Sequence, residues 1–420
     1  MVMRFLGHKV MRSLGHKVMR SSGYKVMLLA AALGAATLTS CIDEYNELPE
    51  GIDSTHMLVI SGQIEPNSDC IFTLNHTVGF DEPGYLAVNT VPNARVAIIG
   101  SNGDRFEGFE YDREKSQYCV KTLSFDPEVQ YSLYVEAPGY GTFASAPMKP
   151  LDAPALTQLS YDKPRPDDVV DFLITTEDPG RHTCFLWEFD EYWEIFTPYT
   201  ARWEYVITKN PDPWDSESNY SGYYNSIPPN QLTNHGWARQ LDGWGVIADN
   251  KDYGNGALQK YCIYQRHKDN VRFQTRYYTH VRQMAITPQE YEYRRMMQTQ
   301  SSQMGGLFTP MPSELPGNIR CIDGDARAIG YVGVRGKVAE AELYVNRRDV
   351  ECHFYEAPGT LPDSVVFESG PGRLWERGYR LIDYDPFTGK QQWTHRWGID
   401  CTDYHWNASL DRPWFWKNAE

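Results

Sequence analysis

Hydrophobic and polar positions alternate over short runs from residue 56 to residue 148. In HMLVISGQI (56–64), Leu58 and Ile60 share one face of a predicted strand and alternate with residues of the other face, as in a half-buried β-strand. Similar runs are CIFTLNHTV (70–78), ARVAIIG (94–100), SQYCVKTL (116–123), VQYSLYVEA (129–137) and GYGTFASAP (139–147). About seven short strands at this spacing predict an immunoglobulin-like β-sandwich over residues 56–148.

A proline-containing segment, MKPLDAPAL (148–156), separates this region from a second strand pattern. Within TCFLWEFDEYWEIF (183–196), strict alternation places Phe185, Trp187 and Phe189 on one face. Further runs are VVDFLITTED (169–178), RAIGYVGVRG (327–336), AELYVNRR (341–348), GYRLIDY (378–384) and QQWTHRWGID (391–400). We therefore expect a mainly β protein in which a larger β-rich domain occupies residues 149–420.

One prominent helix interrupts the strand pattern of this second domain. Thr287-Pro288-Gln289-Glu290 reads as a capping box with proline at the first helical position. The helical run continues as QEYEYRRMMQTQSS and stops at Gly305-Gly306.

Aromatic residues are concentrated between residues 185 and 244, where 15 of 60 are Phe, Tyr or Trp. The segment 210–230 is rich in turn-forming residues and has little periodicity, so it predicts a long loop, and long loops are often binding loops. Candidate ligand-facing aromatics here are Trp214, Tyr220, Tyr223, Tyr224, Trp237 and Trp244. An equally weighted alternative is that these side chains cover a sheet edge and are half buried.

The first forty residues have the pattern of a secretory leader. Three basic octapeptides, VMRFLGHK, VMRSLGHK and VMRSSGYK, are followed by the uncharged run VMLLAAALGAATLT. This run is too short to span a bilayer and fits a signal peptide over residues 1–40. Because Leu38-Thr39-Ser40-Cys41 resembles a bacterial lipobox, we expect diacylation of Cys41 in preference to plain secretion.

The mature chain from Cys41 is strongly acidic. The leader contains six Lys and Arg residues and no acid, so removing it from the formal net charge of −15 leaves −21. No basic stripe remains for nucleic acid, and the acyl chains must supply the membrane attachment. Residues 41–55 predict an acidic tether, and Asp43 and Glu44 in it look like the surface-export signal of Bacteroidota lipoproteins. A simple solvated linker is the alternative.

Seven cysteines remain after Cys41, which makes them disulfide candidates in an oxidising compartment with at least one left over. Cys70 and Cys119 fall in predicted strands of the first domain and either pair or stay as buried thiols. No motif with zinc-site, redox or catalytic spacing occurs in the sequence, so we expect no metal, no cofactor and no enzymatic activity.

Three segments together resemble an uncharacterised family of Bacteroidota outer-membrane lipoproteins, of the domain-of-unknown-function class. The segment 287–331 contains GGLF, GNI and AIGY in the family's order, and Leu58–Ile64 matches its first strand. The tail, with Asp400-Cys401 and PWFW (413–416), matches its end, although this chain has one cysteine there instead of two. Within this resemblance, Cys352 with Cys401 is the best single pairing.

The resemblance implies a lipid-anchored outer-membrane protein that faces the cell exterior and is often encoded beside a TonB-dependent receptor. The function expected from it is binding: an accessory partner of the transporter, or a protein that captures a small molecule, peptide or glycan. A structural or adhesive cell-surface lipoprotein is the alternative, and a glycan hydrolase would need a pair of carboxylates that the sequence does not define.

Overall fold

The computed structural model describes residues 57–77, 89–162, 168–210, 220–241, 245–303, 317–354, 364–367 and 370–417, the side chains of 300–303 and 364–367 excepted. All of them belong to one compact unit, His56–Glu420. The predicted leader, the tether and Cys41 lie outside the described residues, as do Trp214 and Trp244.

The described elements are almost all strands, which confirms the predicted mainly β class. The strands of the first half are β1 (Leu58–Ile64), β2 (Asp69–His76), β3 (Arg95–Gly100), β4 (Arg105–Asp112), β5 (Gln117–Lys121), β6 (Tyr131–Ala137), β7 (Gly141–Ser145), β8 (Leu156–Tyr161), β9 (Val169–Thr176), β10 (Cys184–Phe196), β11 (Trp203–Lys209) and β12 (Ser221–Ser226). Those of the second half are β13 (His235–Leu241), β14 (Val246–Asp249), β15 (Tyr261–His267), β16 (Arg276–Ile286), β17 (Ile319–Cys321), β18 (Ala328–Ile329), β19 (Val332–Val334), β20 (Ala339–Asn346), β21 (Ser364–Phe367), β22 (Tyr379–Tyr384) and β23 (Gln391–His395). The α-helices are α1 (Pro288–Gln303) and α2 (Pro371–Glu376), and short 3-10 turns cover Pro229–Gln231, Asn250–Tyr253, Val271–Phe273, Arg347–Asp349 and Arg396–Gly398.

The first seven strands form one large sheet around their own core. Its order is β17-β7-β6-β3-β4-β5-β2-β1-β18, with β19 also paired to β1. Leu58, Ile60, Leu74 and Leu133 are all buried in a shared hydrophobic cluster, as the alternation in sequence predicts. The finer prediction of an immunoglobulin-like topology stays a prediction.

Three strands of this first sheet come from far along the chain. Strands β18 and β19 pair in parallel with β1, and β17 pairs with β7. Gly330 joins β18 to β19 with φ +131°, and a Cβ there would come within 1.9 Å of the Ile60 carbonyl oxygen, so only glycine fits. The predicted boundary at 148/149 falls between β7 and β8, whereas residues 319–334 return to the sheet of the N-terminal segment.

The second region is built around a five-stranded antiparallel sheet of order β13-β10-β16-β20, with β14 also paired to β10. Phe185, Trp187 and Phe189 of β10 face its hydrophobic core together, as predicted. A three-stranded sheet, β15-β9-β8, contributes to the same core. Smaller sheets are β11-β12 and β21-β23-β22.

The prediction of a long loop over residues 210–230 is wrong for the second half of that range. Residues 221–226 form β12, which pairs with β11 from Trp203 opposite Ser226 onward. Gly, Ser and Asn are weak strand formers, so composition alone does not predict a strand here. The pairing gives the backbone groups hydrogen-bond partners, and this tertiary context overrides the weak preference.

None of the seven described cysteines is disulfide-bonded, so neither predicted pair is bonded. Cys70 lies opposite Val120, and Cys119 lies opposite Ile71 on the paired strands β2 and β5. Because residues one position apart point to opposite faces of a sheet, these two thiols face away from each other.

The other predicted pair is separated in a different way. Cys352 and Cys401 are buried in the same hydrophobic cluster. The Cys352 Sγ is directed at the Asn270 carbonyl, 3.9 Å away. The Cys401 Sγ lies against Gly236 of β13, where an added Cβ would approach it within 2.6 Å. The two sulfurs therefore pack against different parts of the core.

Candidate functional site

A cleft of about 560 Å³ opens where the first sheet meets the five-stranded sheet and α1. Its polar walls come from the β1–β2 hairpin, from β10 and β16, and from one face of α1. Its charged and amide side chains include those of Gln63, Glu65, Glu188, Arg282, Glu290 and Arg294. This volume lies within the range of natural small-molecule sites.

Strand register places the first group of charges. Glu188 of β10 is directly opposite Arg282 of β16, so both side chains leave the sheet on the same face. The neighbouring residue on β10, Trp187, points to the opposite face of the sheet. Its indole N–H donates to the Gln283 side chain at 2.9 Å in the core. Alternation along two strands therefore separates a charged face from an apolar one.

Arg282 is the centre of this first network. It donates from Nη2 to Glu65 Oε2 at 2.6 Å and from Nη1 to Glu188 Oε2 at 3.3 Å. Its Nε lies 3.6 Å from Glu340 Oε1. Burial opposes its charged form, but these three carboxylates outweigh burial and raise the pKa of Arg282. The guanidinium thus holds the β1 end of the first sheet against the second sheet.

A second network is almost fully buried at the base of the cleft. Glu290 and Arg335 are each 1% exposed. Arg335 donates to Glu290 through both terminal nitrogens, Nη1 to Oε2 at 2.7 Å and Nη2 to Oε1 at 2.6 Å. Arg294, one turn along α1, donates to Glu290 Oε1 at 3.0 Å. Burial alone would raise the pKa of Glu290, but the two guanidinium groups hold it below its ordinary value.

Gln63 connects the two networks. It accepts from Arg335 Nη2 at 3.3 Å and donates to Glu188 Oε2 at 3.4 Å. A continuous path of polar contacts therefore runs from α1 through β1 to the five-stranded sheet.

The cleft has an excess of acid. Four carboxylates line it, those of Glu65, Asp69, Glu188 and Glu290, against the guanidinium groups of Arg282 and Arg294. Among the described residues, no hydrogen-bond donor reaches the buried Oε1 of Glu65. Lys121 lies 3.7 Å from Asp69, and Arg335 offsets Glu290 from behind the wall. The negative charge without its own cation is therefore that of Glu65 and Glu188, which share Arg282.

Sequence reasoning missed this site because Glu290 looked like a helix cap. The capping box is only half formed: the Glu290 backbone N–H donates to Thr287 Oγ1 at 3.1 Å, while its carboxylate turns to Arg335 and Arg294. An arginine placed directly after a hydrophobic strand, as Arg335 is after β19, was the available signal.

None of the four predicted ligand-facing aromatics in the described part of the chain lines this cleft. Tyr220 packs its ring 5.0 Å from Trp375, and Tyr224 stacks 3.8 Å from Tyr384. Burial raises the pKa of Tyr224 to about 12. Tyr223 is 53% exposed on β12.

Trp237 stands apart from these tyrosines on β13. Its ring lies 4.6 Å from that of His235, which in turn stacks on Phe196 at 4.1 Å. Two of the six aromatics lie outside the described residues, and a ligand-facing role for the other four stays a prediction.

The model of one protein family matches residues 44–340 and is described as a domain of unknown function, DUF4249. The chain therefore belongs to the DUF4249 family. The matched range includes every residue that lines the cleft, as well as the returning strands β17, β18 and β19 that complete the first sheet of this DUF4249 protein.

The other comparisons add little to this DUF4249 assignment. No curated protein matches the chain. Among solved structures, a DUF4785 family protein from Legionella pneumophila subsp. pneumophila str. Philadelphia 1 is similar over 54% of this chain and 52% of that one, at 10% sequence identity and a TM-score of 0.19. The chain spans about half the length of that structure, and so low a TM-score supports no conclusion. Neither α-helix in the described part of the DUF4249 chain has the length and apolar character to cross a bilayer.

Proposed function

We propose that this DUF4249 protein is a non-enzymatic, lipid-anchored protein on the outer face of a Bacteroidota outer membrane, where it captures a ligand for a TonB-dependent transporter. The observation that carries the binding role is the mixed-charge cleft of about 560 Å³. The lipobox at Cys41 and the acids after it support the location. A lipid tether raises the effective concentration of the protein for a transporter in the same membrane.

The ligand class follows from the charges of the cleft. Glu65 and Glu188 share one arginine, Arg282, and the Glu65 Oε1 has no donor among the described residues. A ligand with an ammonium or guanidinium group would offset this negative charge and form charge-assisted hydrogen bonds. We therefore propose small cationic molecules or short basic peptides, in preference to acidic ones and to neutral glycans.

Trilysine is expected to bind the purified chain more tightly than triglutamate or maltotriose, as measured by isothermal titration calorimetry. Glu65→Gln keeps the size of the side chain and removes its charge, and should weaken trilysine binding by about 10–100-fold, because a hydrogen bond to a charged group contributes roughly 1.5–3 kcal/mol. Glu340→Gln is the matched control, since Glu340 also approaches Arg282 but does not line the cleft. Equal binding of the three probes, or equal losses in both variants, would refute the cationic ligand.

The transporter partnership predicts a stable complex in the membrane. A tagged chain extracted in mild detergent should co-purify with a large β-barrel protein, identified by mass spectrometry. Membranes from the untagged strain are the control for non-specific recovery. Recovery of the tagged chain without any such barrel would contradict the partnership and favour the structural or adhesive alternative.

A further inference from the structure

A second group of ligating side chains lies outside the cleft, where β10 begins and β14 ends. His182, Cys184 and Asp249 each offer one atom, and the three atoms lie within 4.8 Å of one another. None of the three residues lines the cleft. Of the described residues, this is the one group of three or more His, Cys, Asp and Glu side chains with that spacing.

Backbone register brings these residues together. Cys184 begins β10 and is directly opposite Asp249, the last residue of β14, so their side chains leave the sheet on the same side. His182 lies two positions before the strand begins, and its Nε2 lies 2.7 Å from Asp249 Oδ1 on that side. Strand pairing therefore fixes Cys184 and Asp249 relative to each other.

The segment that carries His182 is held in place by a buried asparagine. Asn250 is fully buried; its Oδ1 accepts from the Thr183 backbone N–H at 2.8 Å, and its Nδ2 donates to the Arg181 carbonyl at 3.0 Å. Asp249 is oriented as well, because its Oδ1 accepts from the Lys251 backbone N–H at 2.8 Å. Hydrogen bonds that orient ligands in this way are typical of metal sites.

The distances fit a small transition-metal ion after a minor adjustment. His182 Nε2 lies 2.7 Å from Asp249 Oδ1 and 3.9 Å from Cys184 Sγ. Bonds of about 2.0–2.3 Å in a tetrahedral site would place such atoms roughly 3.3–3.7 Å apart. The first distance must open and the second close, each by less than about 1 Å.

We propose that His182, Cys184 and Asp249 form a zinc site with three protein ligands and one open coordination position. Imidazole nitrogen, thiolate sulfur and carboxylate oxygen are all common zinc ligands, and the thiolate selects against magnesium and calcium. The His182 side chain is 42% exposed, which gives the ion a path of entry. On binding, the Cys184 thiol releases its proton to solvent and the sulfur forms the bond to zinc.

A nucleophilic cysteine is the competing use of the same three residue types, and the geometry disfavours it. In a Cys–His–Asp triad the acid holds one ring nitrogen while the other faces the thiol. Here a single nitrogen, Nε2 of His182, contacts both partners. The Cys184 side chain is also buried at 2% exposure, whereas reactive cysteines are partly exposed.

The test is metal titration of the full-length chain in detergent. One equivalent of zinc should bind, and cobalt(II), its spectroscopic substitute, should produce a thiolate-to-cobalt charge-transfer band in the near ultraviolet. Cys184→Ser should abolish that band. His182→Ala and Asp249→Asn should each reduce zinc affinity by about 100-fold or more. His182 is half exposed, so its replacement leaves the core intact if Cys184→Ser fails to fold.

Matched controls separate this site from surface binding. Cys262→Ser removes an exposed thiol elsewhere. His235→Ala removes a histidine that pairs with Glu194 and belongs to no described group of three ligating side chains. Both variants should still bind one equivalent of zinc and show the thiolate-to-cobalt charge-transfer band. The proposal is overturned if cobalt binds without a charge-transfer band, or if His182→Ala and Asp249→Asn bind zinc as tightly as the unchanged protein.

Discussion

Replacing Glu290 with alanine should lower the free energy of unfolding by about 3–5 kcal/mol, because it leaves the charge of Arg335 buried without its partner. Arg335 is 1% exposed and both of its terminal nitrogens donate to Glu290. Urea unfolding followed by tryptophan fluorescence measures the change. The loss should exceed that from an ordinary surface truncation several-fold.

Two further variants decide whether the unpaired charge is the cause. Glu292→Ala breaks an exposed pair with Arg295 on the same helix and should cost less than about 1 kcal/mol. The double variant Glu290→Met with Arg335→Met removes both charges and should recover most of the loss. If the double variant is as unstable as Glu290→Ala, lost packing rather than an unpaired charge is responsible.

The same pair makes a pH-dependent contribution. The pKa of Glu290 in the folded state is lower than its ordinary value. Its contribution is therefore fully present above the ordinary carboxyl pKa and is lost as the pH falls through the depressed one. The Glu290→Met, Arg335→Met protein should lack this part of the acid sensitivity.

Replacing Cys41 with alanine should release the protein from the membrane and abolish its labelling with a palmitate analogue. The thiol of Cys41 is the predicted acylation point, and the negative charge expected of the mature chain opposes binding to an anionic surface. Membrane fractionation and metabolic labelling measure both effects. Cys262→Ser, which removes an exposed thiol of the described region, should change neither. A Cys41→Ala protein that stays membrane-bound and labelled would refute lipid anchoring.

Local periodicity predicts most of the elements. The alternation in TCFLWEFDEYWEIF becomes β10, and the Thr287-Pro288 signal becomes the start of α1. These features succeed because strand and helix patterns are encoded by residues a few positions apart. The hairpin of β11 and β12 was missed because its second strand consists of weak strand formers, and the pairing partner decides its conformation.

Partners distant in sequence were not predictable in the same way. RAIGYVGVRG was correctly expected to contain strands, but nothing in it shows that β18 and β19 pair with β1. The ion pair of Glu290 and Arg335 was not predictable for the same reason, because only the three-dimensional surroundings distinguish a buried guanidinium from a surface one. Cys70 and Cys119 show the limit in detail: they lie on neighbouring strands, yet a register offset of one residue turns their thiols apart.

The return of β17, β18 and β19 to the first sheet has a consequence for how the chain acquires its structure. The edge of β1 stays unpaired until the chain has been synthesised to residue 334 and β19 has paired with it. The first sheet is therefore completed only by a segment that is synthesised much later. Until then this edge is a template for wrong pairing with other chains. Truncation anywhere between β7 and β17 should therefore yield aggregates instead of a smaller folded domain.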